Sequence, residues 1–186
     1  MAKTIDDFKS IIGSRGGLAR SNKFLFTFAP PPAVKRSLGL NLEELSLLCK
    51  SVAIPGRSIT TFEKQDYRES YKVPYIQEFE DFSATFLLTN DYMARGVFSN
   101  WLNAIADPNS GTLSYRADYI ADASISQLGP KDQEIYRINI KDMYPISIPE
   151  ISFNSSNSAD PIEMTITFTY KYMTEEPIFN RPRLTF

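Results

Sequence analysis

The pattern of apolar and polar positions predicts a chain built mostly of strands. Phe24, Phe26 and Phe28 recur at period two within 23–28, and Pro30, Pro31 and Pro32, which cannot donate to a sheet ladder, close that strand. After a loop with one helical turn at 41–45, the apolar run 47–54 predicts a second strand, ended by Pro55 and Gly56. Residues 58–62 and 71–73 have strand propensity, whereas 63–70 are charged and polar, so 57–75 read as a long hairpin with little core to pack against. Two strands without a covering layer hold together poorly in water, so this hairpin asks for a partner.

Phe82, Ala84, Phe86 and Leu88 line one face of a further strand, and Thr89, Asn90 and Asp91 supply polar groups suited to starting a helix. Ala94, Val97, Phe98, Trp101, Leu102 and Ile105 then fall at helical spacing, an amphipathic helix over about 91–106 that stops before Asp107 and Pro108. Beyond a polar loop at 109–119, a hairpin joins 121–128 to 133–143 through 129–132, with Tyr136, Ile138 and Ile140 on one face. Prolines at 145 and 149 and a polar loop at 154–160 precede the longest alternation, Ile162, Met164, Ile166, Phe168, Tyr170 and Tyr172. As one strand it spans about 35 Å. The organisation expected is a helix-capable but flexible N-terminal arm over 1–22, one mainly β (α+β) domain over 23–172 and an extended C-terminal arm over 173–186.

Composition changes this picture little. The 186 residues suit one domain, and 42% hydrophobic with 23% charged residues is ordinary for a folded chain. The 13 Phe and 10 Tyr fit half-buried pleated surfaces. A net charge of −2 offers no basic surface for gripping phosphates, although a weakly acidic surface can face DNA without holding it. The single cysteine, Cys49, sits beside Leu47 and Leu48 as a core position and suits synthesis in a reducing cytosol. No signal-peptide pattern or membrane-length apolar run is present, and a soluble protein is expected.

Candidate chemistry is sparse. The chain has no histidine, which removes the commonest general base, Ser-His and Cys-His nucleophile pairs and His-based metal sites. Carboxylates at Glu78, Glu80 and Asp81, and at Asp118 and Asp122, keep a two-carboxylate or metal-dependent hydrolase as a rival reading, although no calcium-loop spacing accompanies them and solvated charge is the ordinary alternative. Gly13, Gly16 and Gly17 lack the Gly-Lys-Ser/Thr ending of a phosphate loop. Lys64, Arg68 and Lys72, interleaved with Tyr67, Tyr71 and Tyr75, have the look of a nucleic-acid platform, but Glu63, Asp66 and Glu69 cancel their charge. No catalytic residue, cofactor or metal is expected.

Several pieces in their order resemble the tail tube protein of contractile-tailed, T4-like bacteriophages. The resemblance rests on Phe8-Lys9-Ser10, on 16–24 leading into the first strand, on Cys49 to Gly56 ending the second, on Phe79-Glu80-Asp81-Phe82, on the helix with Phe98, Trp101 and Leu102, and on 138–149 and 162–172. It covers most of residues 8–172; the stretches 31–44 and 173–186 look longer than that pattern. The resemblance implies two packed, mostly antiparallel β-sheets with one flanking helix, and a hairpin joining those of other copies in a multi-subunit β-barrel. It implies a non-enzymatic virion protein made in the host bacterial cytoplasm, with six copies per ring and rings stacked as a conduit for DNA ejection. Its partners are then other copies of itself, a surrounding sheath protein, a baseplate initiator and a tail terminator at the ends, a tape measure protein in the lumen, and genomic DNA that passes without specific binding. The inter-subunit residues it implies are Ile59, Phe62, Lys64, Tyr67, Arg68, Tyr71 and Val73 of the hairpin, with Val97, Phe98, Trp101, Leu102 and Ile105 as the core face of the helix. A baseplate tube initiator of the same fold, or the tube of a related contractile injection system, is the alternative.

Overall fold

The computed structural model describes residues 4–32, 34, 42–153 and 161–177. The chain forms helix α1 (Ile5–Ser14), strand β1 (Phe24–Phe28), helix α2 (Leu42–Leu47), strands β2 (Cys49–Val52), β3 (Arg57–Gln65), β4 (Ser70–Phe79) and β5 (Phe82–Leu87), and helices α3 (Met93–Ile105) and α4 (Arg116–Tyr119). Strands β6 (Ala121–Leu128), β7 (Glu134–Ser147), β8 (Glu163–Thr169) and β9 (Tyr172–Pro177) complete it. The polar 154–160 loop, most of the 31–44 connection and the end of the C-terminal arm lie outside the described residues.

Two antiparallel sheets share β7. One runs β1-β6-β7-β9 and the other β2-β5-β8-β7, while β3 and β4 form a separate two-stranded sheet. The sharing rests on a bulge: Asp142 has φ 56°, and Ala121 opposes Met143 whereas Ala123 opposes Ile140. The extra residue preserves the inward direction across the bend, so Ile138 and Ile140 before it and Met143 after it are all buried. Asp122 accepts from the Asp142 amide at 3.4 Å and pairs with Lys141, while Arg116 lies 3.7 Å from Asp142.

Alternation puts Phe26, Phe28, Ala84, Phe86, Ile125, Met164, Ile166 and Phe168 between the sheets. Helix α3 closes one side of that core. Phe98 packs its ring on Phe28 of one sheet at 6.0 Å and on Phe86 and Phe168 of the other at 5.1 and 5.7 Å. Trp101 stacks on Phe28 and donates from Nε1 to the Tyr119 carbonyl at 2.7 Å, which satisfies its buried polar atom. Helix α2 lies against the edges of β1 and β2, where the Ser46 hydroxyl donates to the Phe26 carbonyl.

Three elements differ from the expectation drawn from periodicity. The alternation over 162–172 is two strands, because the chain leaves β8 at Tyr170 and Lys171 and enters the other sheet as β9 on the far side of β7 from β6. The longest strand is β7, 14 residues, which runs through Pro145 beside the register shift of its pairing with β8. The second strand is shorter than 47–54, since Leu47 ends α2 and is exposed. Helix α3 is preceded by its cap residue Tyr92 in a left-handed conformation, with Asp91 Oδ1 accepting from the Met93 amide at 3.3 Å.

Candidate assembly surface

The hairpin β3–β4 has little support from the core. Its strands pair from Arg57 opposite Phe79 to Gln65 opposite Ser70, and Asp66 and Glu69 exchange backbone hydrogen bonds across the turn. Every residue of β3 is exposed, and on β4 only Val73 and Phe79 are half-buried. Among the described residues neither strand has a second neighbour, so both outer edges offer unpaired backbone donors and acceptors.

A bulge sorts the hairpin into two unlike faces. Thr60 opposes Ile76 but Thr61 opposes Pro74, which leaves Tyr75 as the extra residue. Thr60, Phe62 and Lys64 therefore share a face with Tyr71, Val73 and Ile76, and Tyr75 joins them, its ring edge-on to Phe62 at 6.2 Å. The other face carries Ile59, Thr61, Glu63 and Gln65 beside Ser70, Lys72, Pro74 and Gln77, with Glu63 directly opposite Lys72. Exposed aromatic and aliphatic rows next to one another exceed what a solitary surface residue represents and make this face a candidate interaction surface.

The root of the hairpin is held to the body by contacts from distant parts of the chain. Arg57 lies 3.7 Å from Glu175 Oε1, and the Tyr136 hydroxyl donates to Glu175 Oε2 at 2.7 Å. Burial, reinforced by that hydrogen bond, pushes the Tyr136 phenol up to about 12. Phe79 packs on Tyr170 at 5.7 Å, and burial pushes the Tyr170 phenol up to about 12 as well, with the Asp81 and Glu80 carboxylates adding to it. Nothing in the sequence pattern marks Glu175 as a root contact, because it belongs to a stretch without a period and reaches Arg57 only through the pairing of β9 with β7.

The residues singled out from sequence are divided among these places. Phe62, Lys64, Tyr71 and Val73 meet on the aromatic face, Ile59 stands on the opposite face, and Tyr67 and Arg68 sit exposed at the turn. On α3, Val97, Phe98 and Trp101 are fully buried, while Leu102 and Ile105 are half-buried. The carboxylates Glu78, Glu80, Asp81, Asp118 and Asp122 are all exposed, with Asp122 engaged by Lys141. No group of three metal-ligating side chains comes together among the described residues, and no helix among them is long and apolar enough to cross a membrane. Cys49 is half-buried against the core, where burial pushes its thiol up to about 12.

Among solved structures, two examples share this fold. A protein of the anti-feeding prophage (AFP) baseplate, solved by cryo-EM with six-fold symmetry, is 13% identical with a TM-score of 0.65, over 87% of this chain and 97% of that one. A protein of the sheath-tube complex of the extracellular contractile injection system PVC, in its extended state, is 15% identical with a TM-score of 0.64, over 87% of this chain and 93% of that one. At those identities the likeness establishes the fold. No curated protein matches the sequence. The family model for phage tail tube proteins matches residues 19–176, from the segment before β1 into β9, and the chain belongs to that family.

Proposed function

We propose that the protein is the repeating subunit of the inner tube of a contractile tail, with six copies joined into a ring and rings stacked into a conduit through which DNA leaves the virion. The observation that carries this reading is the β3–β4 hairpin, with two unpaired edges and an uncovered aromatic face. Pairing β3 of one copy with β4 of the next satisfies both edges at once, and closure around a ring leaves none open. The aromatic face, with Phe62, Tyr71, Tyr75 and Ile76, turns outward onto the bodies of the ring. The polar face, with Thr61, Glu63, Lys72 and Gln77, lines the bore.

The role is mechanical and requires no reaction. On the bore-lining face Glu63 stands directly opposite Lys72, so this face offers DNA no net cationic grip. The sheath-tube complex that contains the PVC neighbour supports a sheath protein as the outer partner of the tube, with a baseplate initiator and a tail terminator at its ends and a tape measure protein in the lumen before ejection. The AFP baseplate neighbour favours a second reading, a tube initiator of the same fold present as a single ring. Electron microscopy of the concentrated purified protein and of intact tails tests the first reading. Stacked six-fold rings present in many copies per particle are expected; one ring per particle selects the initiator, and a monomer within intact tails refutes both.

A further inference from the structure

Helix α1 is built to be a helix, and nothing among the described residues covers it. Thr4 and Asp7 form a capping box, the Thr4 amide donating to Asp7 Oδ2 at 2.9 Å and the Asp7 amide to Thr4 Oγ1 at 3.4 Å. Ile5, Phe8, Ile11 and Ile12 fall within one sector of the helix, and Ile5, Phe8 and Ile11 are 69%, 61% and 55% exposed. No residue of α1 is buried. A ten-residue helix is marginal in water without tertiary contact, so both the cap and the stripe point to a receiving surface.

The molecule also carries a cleft of about 640 Å³ at one mouth of the sandwich. Phe24, Ile125, Tyr136 and Ile138 of one sheet form its floor, and Val52 and Ile54 flank it from beside the edge of the other. Its charged lining residues are Arg20, Lys23 and Lys50, with no carboxylate among them. Lys23 and Lys50 pair with Asp132 and Glu163, whereas Arg20 has no ion-pair partner among the described residues. Helix α1 brings Asp6 and Asp7 in its first turn against the single cation Lys9, a complementary balance that also disfavours an anionic membrane as the receiving surface.

We propose that α1 of one copy seats its Ile5-Phe8-Ile11 stripe in this cleft on a neighbouring copy. The inference rests on the self-assembling tube reading and adds to it a named helix-in-groove contact outside the hairpin barrel. A copy's own helix is poorly placed for the cleft. Residues 19–23 already form its rim, with the Arg20 carbonyl accepting from Gln127 Nε2 at 3.3 Å and the Lys23 carbonyl from the Leu128 amide at 3.0 Å. The Gly17 amide then closes the end of α1 on the Ile12 carbonyl at 2.9 Å, with Gly16 and Gly17 at φ 78° and 99°, and the helix projects away.

The test is cross-linking between two differently labelled chains, both carrying Cys49→Ser, one with Phe8→Cys and the other with Ile54→Cys. Phe8 and Ile54 are both more than half exposed, so their substitutions leave the core in place, and Cys49→Ser is common to both chains and to the control that carries it alone. Mixed and assembled, the two are expected to give heterodimers across a short bis-maleimide linker, absent from either chain alone. A chain with both cysteines that yields only internal cross-links assigns the cleft to its own helix and overturns the proposal. So does an absence of cross-links with binding of the protein to anionic phosphatidylserine vesicles. In parallel, Phe8→Ser is expected to raise the concentration needed for assembly about tenfold or more, because one buried aromatic is lost per contact. Unchanged assembly by Phe8→Ser refutes the α1 contact while leaving the tube reading intact. Failure of the unmodified protein to form rings refutes the tube reading itself.

Discussion

Phe98 and Phe62 are the same residue in opposite settings, and their alanine variants separate folding from assembly. Phe98 is fully buried, its ring 5.1 Å from Phe86, 5.7 Å from Phe168 and 6.0 Å from Phe28. Phenylalanine-to-alanine changes in a core cost about 3–5 kcal/mol through lost transfer energy and the cavity left behind. The upper part of that range applies, because Phe28 is held by one sheet ladder and Phe86 and Phe168 by the other, so the walls cannot close on the gap. A loss of about 4 kcal/mol is a large share of a total near 5–15 kcal/mol. At about 2–4 °C per kcal/mol for a chain of this size, Tm falls by roughly 8–16 °C. Phe62 is 47% exposed and among the described residues its one aromatic ring contact is with Tyr75, so Phe62→Ala removes about 0.5–1.5 kcal/mol, and from a hairpin standing apart from the core. Urea unfolding followed by the fluorescence of Trp101, the single tryptophan, which stacks on Phe28, measures both. Phe98→Ala is expected to lower the midpoint strongly, and Phe62→Ala to leave it nearly unchanged while weakening ring formation. Equal losses for the two, or a loss under about 1.5 kcal/mol for Phe98→Ala, refute the assignment of core and assembly surface.

The bend in β7 is tested at Asp142, whose φ of 56° suits glycine but not a β-branched side chain. Asp142→Gly is expected to stay within about 1 kcal/mol, since it gives up only partly exposed ion pairs, whereas Asp142→Val costs about 1–3 kcal/mol more through backbone strain; equal urea midpoints contradict the bulge. At alkaline pH, Tyr136 and Tyr170 titrate late. Their folded values near 12 lie above the ordinary value near 10, so the stabilisation they contribute is fully present below about pH 10 and is lost as pH rises through 12. Ultraviolet titration of the phenolates is expected to contain a late component near 12 that Tyr136→Phe and Tyr170→Phe each diminish; a late component unchanged by both substitutions contradicts the buried root of the hairpin.

Local chemistry wrote much of this protein legibly into its chain. The period-two phenylalanines of 24–28, the helical stripe of Val97, Phe98 and Trp101, the hairpin at 121–143 and the poorly covered strands after Arg57 all follow from which side of an element each residue faces. The resemblance of those pieces, taken in order, pointed to the family that the match over 19–176 establishes. Periodicity, however, reports facing and is silent on which sheet a strand joins. That is why 162–172 reads as one strand although the chain changes sheets at Tyr170 and Lys171, and why β7 could pass through Pro145 once its partner strand shifted register. The aromatic face of the hairpin depends in the same way on one extra residue, Tyr75, which only the pairing with β3 reveals. The cleft at the sandwich mouth brings Phe24, Val52, Ile125 and Tyr136 together from four strands, and the root contact joins Arg57 to Glu175. Such contacts are set by register and bulges across strands far apart in the chain, where no local pattern carries the information. The sequence alone determined that strands, a buried helix and an unsupported hairpin exist; tertiary packing decided which of their faces remained exposed.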